Sequence, residues 1–118
     1  MELEAMKQAV VSALEDIKAK DIAVLKVSHL TSMTDYMIVA TGDSNRQTRA
    51  LASNVVEKLK ERGAEVLGVE GEDSGEWVLV DLGQVVVHIM QPSTREHYNL
   101  EQLWGEGRRH GPKATELG

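Results

Sequence analysis

The stretch Gly75-Glu-Trp-Val-Leu-Val-Asp-Leu-Gly-Gln-Val-Val-Val-His-Ile-Met90 decides the fold. It reads as two β-strands, Trp77 to Leu82 and Val85 to Met90, rich in valine and isoleucine and broken by Gly83-Gln84. Two residues are enough for a hairpin, and glycine supplies the positive φ that the tight connection needs. Both strands are apolar on both faces, yet only two long helices are available to cover them. Side chains alternate along a strand, so Trp77, Leu79 and Asp81 share one face.

Upstream, Glu65 to Val69 reads as a further strand, joined to Trp77 by the polar turn Glu70 to Gly75. Before it lies a well-punctuated helix. Ser44 and Gln47 form an S-x-x-Q capping box, in which each side chain can satisfy a free backbone N–H. Ala50, Leu51, Val55, Val56 and Leu59 supply the apolar face, and Gly63 stands where a left-handed C-terminal cap belongs. Tyr36 to Ala40 and Ile22 to Val27 read as two more strands, separated by a loop with Ser28, His29, Thr31, Ser32 and Thr34. The chain opens with Leu3 to Lys20, where Leu3, Met6, Val10, Ala13, Leu14 and Ile17 recur at helical spacing.

Downstream, Pro92 stops the sheet. Ser93 and Glu96 suggest a second capping box that opens a short helix reaching about Trp104. Residues 105–118 hold four glycines and one proline without apolar periodicity and read as a flexible tail. The order is therefore α-β-β-α-β-β-β-α: one α/β domain over residues 1–104, built on a single mixed sheet of about five strands. The strand–helix–strand unit around Ser44 to Gly63 is expected to be a right-handed crossover, and the last three strands a meander. If both long helices pack on one side, apolar sheet surface remains on the other, and such surface marks a partner site.

Composition narrows the function. With 118 residues, 42% of them hydrophobic, the chain suits one domain that buries roughly two-thirds of its unfolded surface. There is no cysteine, which removes disulfides, thiolate metal sites and cysteine nucleophiles. No run approaches the ~20 apolar residues of a membrane span, and the start Met1-Glu-Leu-Glu4 is acidic, unlike a secretory signal. The expected location is the cytoplasm. The net charge of −6 favours a basic protein partner over nucleic acid, whose phosphates are held by basic surfaces; direct RNA contact is a secondary expectation.

Candidate chemistry is sparse. His88, His97 and Asp81 lack the HExxH or CxxC spacing of a metal site, and a lone strand histidine such as His88 reads as hydrogen-bonded structure. Thr41-Gly-Asp-Ser44 leads into a helix N-terminus, a place that can hold an anion. It has neither GxxxxGK[ST] nor GxGxxG, and a turn plus helix cap accounts for Gly42 and Ser44. Asp35 and Asp81 have no D-x-D partner for metal-assisted phosphoryl transfer, and no G-x-S-x-G elbow is present. Arg46 and Arg49 share a helix face and read as solvated, as do Arg108, Arg109 and Lys113 in the tail. The expectation is a protein without enzymatic activity, metal or cofactor.

Three segments together resemble the Iojap-like, ribosomal silencing factor family: Thr34-Asp-Tyr-Met-Ile-Val-Ala-Thr-Gly-Asp-Ser-Asn-Arg-Gln47, the Gly75–Met90 stretch, and Arg95-Glu-His-Tyr-Asn-Leu-Glu-Gln-Leu-Trp104. Their order and spacing match over roughly residues 3 to 104. Gln84 stands where acidic residues are common in the family, and His97 where an aromatic is common. The resemblance implies a fold similar to nucleotidyltransferases without transferase activity. It also implies binding to the large ribosomal subunit through its ribosomal protein fourteen, with steric block of small-subunit joining. Organellar relatives are linked to large-subunit assembly.

Residues and resemblance meet on one expected contact patch: Trp77, Leu79, Asp81, Met90, Pro92, Arg95 and Tyr98. Apolar anchors would supply affinity, and the acidic surround would steer the domain toward a basic partner. Two alternatives stand beside it. One is a nucleotide-handling enzyme using the Gly42–Ser44 turn; the other is a homodimer whose interface is the open sheet face.

Overall fold

The computed structural model describes residues 1–100. Its elements follow the expected order: α1 (Leu3–Asp16), β1 (Lys20–Lys26), β2 (Tyr36–Thr41), α2 (Asn45–Glu61), β3 (Gly68–Glu70), β4 (Trp77–Asp81), β5 (Val85–Met90) and α3 (Pro92–Tyr98). The five strands form one mixed sheet in the order β1-β2-β5-β4-β3. β2 and β5 are parallel and the other pairings antiparallel, so β3, β4 and β5 make the expected meander. The connection from β2 through α2 enters at the far edge, on β3, leaving β5 and β4 between the two ends of the crossover. The expected domain end at 104 and the flexible tail 105–118 lie outside the described residues.

Both long helices pack on the same side of the sheet. Met6, Val10 and Leu14 of α1 and Leu51, Val55 and Leu59 of α2 close over Ile38, Ala40, Val78, Val80, Val85, Val87 and Ile89. Leu14, Leu51 and Leu59 are fully buried, and each contributes about 1.5–3 kcal/mol relative to exposure. Outside this core, Tyr36 Oη donates to Glu4 Oε2 at 2.8 Å and ties the start of α1 to β2.

The ends of α2 are built as the spacing requires. Ser44 Oγ accepts from Gln47 N at 3.1 Å. The return bond goes one residue further back than in a standard capping box, with Asp43 N donating to Gln47 Oε1 at 2.7 Å. Replacing Ser44 by alanine is expected to cost about 1 kcal/mol in a urea titration, since one helix-start N–H loses its acceptor; an unchanged midpoint would assign the capping to Gln47 alone. At the other end Gly63 takes φ +88°. Ala64 N then donates to Leu59 O and Gly63 N to Lys60 O, the bond pair of a Schellman motif.

The structure corrects three boundaries. α1 stops at Asp16, four residues short of the expected Lys20. Lys18 takes φ 64°, and Ala19 N and Lys18 N donate to Leu14 O and Glu15 O. This is another Schellman termination, made without the glycine that announces one. β3 has three residues instead of five; the Ala64–Leu67 stretch brings the chain from α2 to the sheet edge. The capping box expected of Ser93 and Glu96 is absent. α3 starts two residues earlier, with Pro92 in its first turn and Gln91 as the N-cap residue in place of Ser93. Proline fits that turn because its fixed φ is helical and its missing N–H has no intrahelical partner to lose. Gln91 is pinned by Gln91 N donating to Glu76 O and its side-chain amide donating to Gly75 O. The expected reach to Trp104 falls outside the described residues.

Candidate functional site

The face of the sheet turned away from α1 and α2 gathers most of the expected patch. Register places Trp77 beside Met90, Leu79 beside His88, and Asp81 beside Val86. In β2, Val39 and Thr41 stand next to His88 and Met90, and Glu70 of β3 stands next to Leu79. Val27, Met37 and Val39 form a small second core on this side, with Leu25 and Leu100 packed against it. α3 crosses the same face near the end of β5.

The centre of the patch is aromatic. The Trp77 and Tyr98 rings lie 4.7 Å apart at 50°, and His97 meets Tyr98 edge-on at 4.8 Å. Such offset and edge-to-face geometries suit the ring quadrupoles. Beneath them Trp77 Nε1 donates to His88 Nδ1 at 2.9 Å. His88 therefore accepts at Nδ1 and is neutral, and burial pushes its pKa down to about 4. The expected reading of His88 as hydrogen-bonded structure matches this geometry.

The seven residues expected in the patch do not play one role. Trp77 and Leu79 are half-buried side by side, and Tyr98 is exposed at 49%. Met90 is fully buried and lies beneath the surface. Asp81 Oδ1 accepts from Gly83 N at 2.9 Å, capping the β4–β5 hairpin. That hairpin closes with Leu82 N donating to Val85 O around Gly83-Gln84, as the sequence suggests. Pro92 and Arg95 face a different feature, the cleft at the C-terminal ends of β2 and β5.

That cleft holds about 530 Å³ and is lined by Lys20, Asp21, Thr41, Asp43, Pro92, Arg95, Glu96 and Asn99. It is where the Gly42–Ser44 turn would serve an enzyme. Three of its charged groups have partners close by. Lys20 Nζ lies 2.7 Å from Asp43 Oδ2, while Arg95 Nη1 donates to Thr41 Oγ1 at 2.8 Å and to Asp21 O. The α2 N-terminus is occupied by Ser44 Oγ and Gln47 Oε1. Three carboxylates against two cations make a poor receptacle for phosphate. Among the described residues no three His, Asp or Glu side chains gather as metal ligands. Gly42 is explained by close approach: a Cβ there would lie 2.9 Å from Thr48 Cγ2.

Two side chains have structural roles that the sequence reading missed. Arg49 is exposed, as expected of a helix-face residue, and in addition its Nε and Nη2 donate to Glu72 O and Asp73 O at 2.7 and 2.8 Å. Buried Thr48 donates from Oγ1 to Gly75 O at 2.6 Å. Together they hold the turn that delivers Trp77. The only sequence signal was their position one helical turn inside the cap, which says nothing of a loop over 20 residues away.

Comparisons agree with this architecture. The family model described as "Ribosomal silencing factor during starvation" matches residues 1–117. The ribosomal silencing factor RsfS of Chromobacterium violaceum is 57% identical over 105 residues, covering 89% of this chain and 86% of the relative. A mouse protein named "Mitochondrial assembly of ribosomal large subunit protein 1" is 39% identical over 97 residues, covering 80% of this chain and 42% of the mouse protein. A crystal structure of a Chromobacterium violaceum protein, 52% identical, superposes with a TM-score of 0.88 over 98% of this chain and 95% of that one. Among the described residues no helix is long and apolar enough to cross a membrane. With a family model spanning almost its whole length and a relative this similar, the chain belongs to the ribosomal silencing factor family.

Proposed function

We infer that the protein represses translation by occupying the large ribosomal subunit, docking the Trp77–Leu79–Tyr98 patch on ribosomal protein fourteen and sterically excluding the small subunit. The observation that carries this reading is an aromatic and aliphatic patch, half-buried Trp77 and Leu79 with exposed Tyr98, on the sheet face that the two long helices do not cover. Large aromatic anchors of this kind dominate protein interfaces. A net charge of −6 suits a basic partner by steering the encounter. The cleft beside α3, with three carboxylates against two cations, ill suits an anionic substrate and supports binding in place of catalysis.

The mechanism is competition for space, with no chemical step. Silencing 90% of subunits then needs free protein at about ten times the dissociation constant. An interface of about 800 Å² per partner is the ordinary size for a specific contact. The test is sedimentation of the purified protein with separated subunits through a sucrose gradient, followed by raised magnesium to drive joining. Co-migration with the large subunit and fewer joined ribosomes is the expected result, saturating near one protein per subunit. Inhibition far below that ratio would point to an enzyme, and no association with either subunit would overturn the reading.

A second reading shares the partner. The name of the mouse relative ties it to large-subunit assembly, and the same contact would serve there. Association without a joining defect would favour that role.

A further inference from the structure

We propose that His88 is a positioning residue for the Trp77 anchor: its Nδ1 takes the indole N–H toward the sheet, so that a partner meets the apolar surface that Trp77 and Tyr98 leave exposed and is offered no donor from the tryptophan. The proposal rests on the docking reading above and deepens it by describing the group that the partner must present.

Register makes the contact possible. Trp77 stands opposite Met90, so His88, two residues earlier on β5, is its diagonal neighbour on the same face. Diagonal pairs lie beyond direct contact for short side chains and within reach of aromatic ones. The resulting bond is 2.9 Å long, and the two rings sit 5.8 Å apart at 48°. The indole nitrogen is a donor only, and a neutral imidazole accepts at one nitrogen only, so the pair is complete in this one arrangement. His88 itself is 7% exposed, which keeps water from competing for the bond. Tyr98 then packs against the indole already fixed below it.

The consequence is preorganisation. A free tryptophan on a sheet surface would have to give up rotamer freedom on docking, whereas one already held by a buried acceptor gives up less. With the N–H occupied, a partner acceptor aimed at Trp77 would gain nothing. A group that packs on apolar ring carbon, aliphatic or aromatic, is the one the site fits.

Two variants test this. His88→Leu keeps buried apolar volume and removes the acceptor; His88→Asn supplies an acceptor oxygen near the Nδ1 position. The Trp77 indole N–H resonance is identified by its loss in Trp77→Phe, and dissociation constants are measured on isolated large subunits. His88→Leu is expected to move that resonance and to raise the dissociation constant about tenfold, equivalent to 1.4 kcal/mol. His88→Asn is expected to restore both, and His88→Leu in a Trp77→Phe background to add no further loss. Unchanged affinity in His88→Leu, or an equal loss in the Trp77→Phe background, would overturn the positioning role while leaving docking intact. A wild-type protein that binds no subunit would remove both readings at once. If His88→Leu does not fold, His88→Phe carries the same test.

Discussion

Replacing Trp77 by alanine is expected to weaken binding to isolated large subunits by about 2–4 kcal/mol, or roughly 30- to 800-fold in dissociation constant. The size follows from the position of the indole. It is half-buried, between Tyr98 above and His88 below, with Leu79 next to it on the same strand face. Truncation removes the anchor and the support of Tyr98 together, since the two rings are in contact at 4.7 Å. The measurement is titration of labelled protein with large subunits, with thermal unfolding of the variant to confirm that it is folded. Val24→Ser is the matched control. Val24 is 41% exposed on β1, at the edge away from β4, and pairs with Ile38 on the helix-covered side. It should bind as wild type. Wild-type affinity in Trp77→Ala would place the contact elsewhere and remove the patch from the reading.

Acid is expected to destabilise the fold well before the carboxylates protonate, because of His88. Its imidazole titrates at about 4 in the folded protein, against 6.5 for an unperturbed histidine. Above 6.5 neither state holds the proton, so the group costs nothing. Between 6.5 and 4 the unfolded chain takes up a proton that the folded protein refuses, and stability falls. Below 4 both states are protonated and the loss levels off at roughly 3 kcal/mol. About 2 kcal/mol of it should be gone by pH 5. Glu4, held below 4.5 by its hydrogen bonds from Lys7 and Tyr36, adds its own loss only at lower pH. Urea titrations from pH 7.5 to 5 on wild type and His88→Asn decide the matter. The wild type should lose stability across the window and the variant should lose much less. Parallel curves would assign the acid sensitivity to other groups.

The two hydrogen bonds that matter most to the patch differ in how visible they were. The Asp81–Gly83 cap lies within one hairpin, and the Asp-Leu-Gly-Gln84 run announces a turn there. The Trp77–His88 bond links residues eleven apart across a pairing whose register had first to be known. Trp77, Leu79 and Asp81 could be placed on one face from alternation alone, but which residues of β5 met them could not. Alternation puts Met90 on the patch face without saying whether anything covers it there. It is fully buried on the face that α3 crosses. Arg95 shares the expected patch with Trp77 in the sequence reading. In space it reaches instead toward Thr41 and Asp21, at the mouth of the cleft.

What the sequence determined by itself is what local chemistry can dictate. Ser44 and Gln47 start α2 and Gly63 ends it; the valine-rich runs make β4 and β5, and Gly83 turns between them. The element order and the single mixed sheet follow from those signals read in series. The tertiary structure alone decided that α1 ends at Asp16, with Lys18, a residue with a Cβ, taking a left-handed conformation just beyond. It also decided that Pro92, not Ser93, opens α3, and that Arg49 and Thr48 hold the turn before Trp77. Each of these depends on hydrogen-bond acceptors brought from elsewhere in the chain or on backbone geometry that no residue type announces. Periodicity and capping report on neighbours within a helical turn or a strand pair, and contacts across the fold exist only once the sheet has fixed its register.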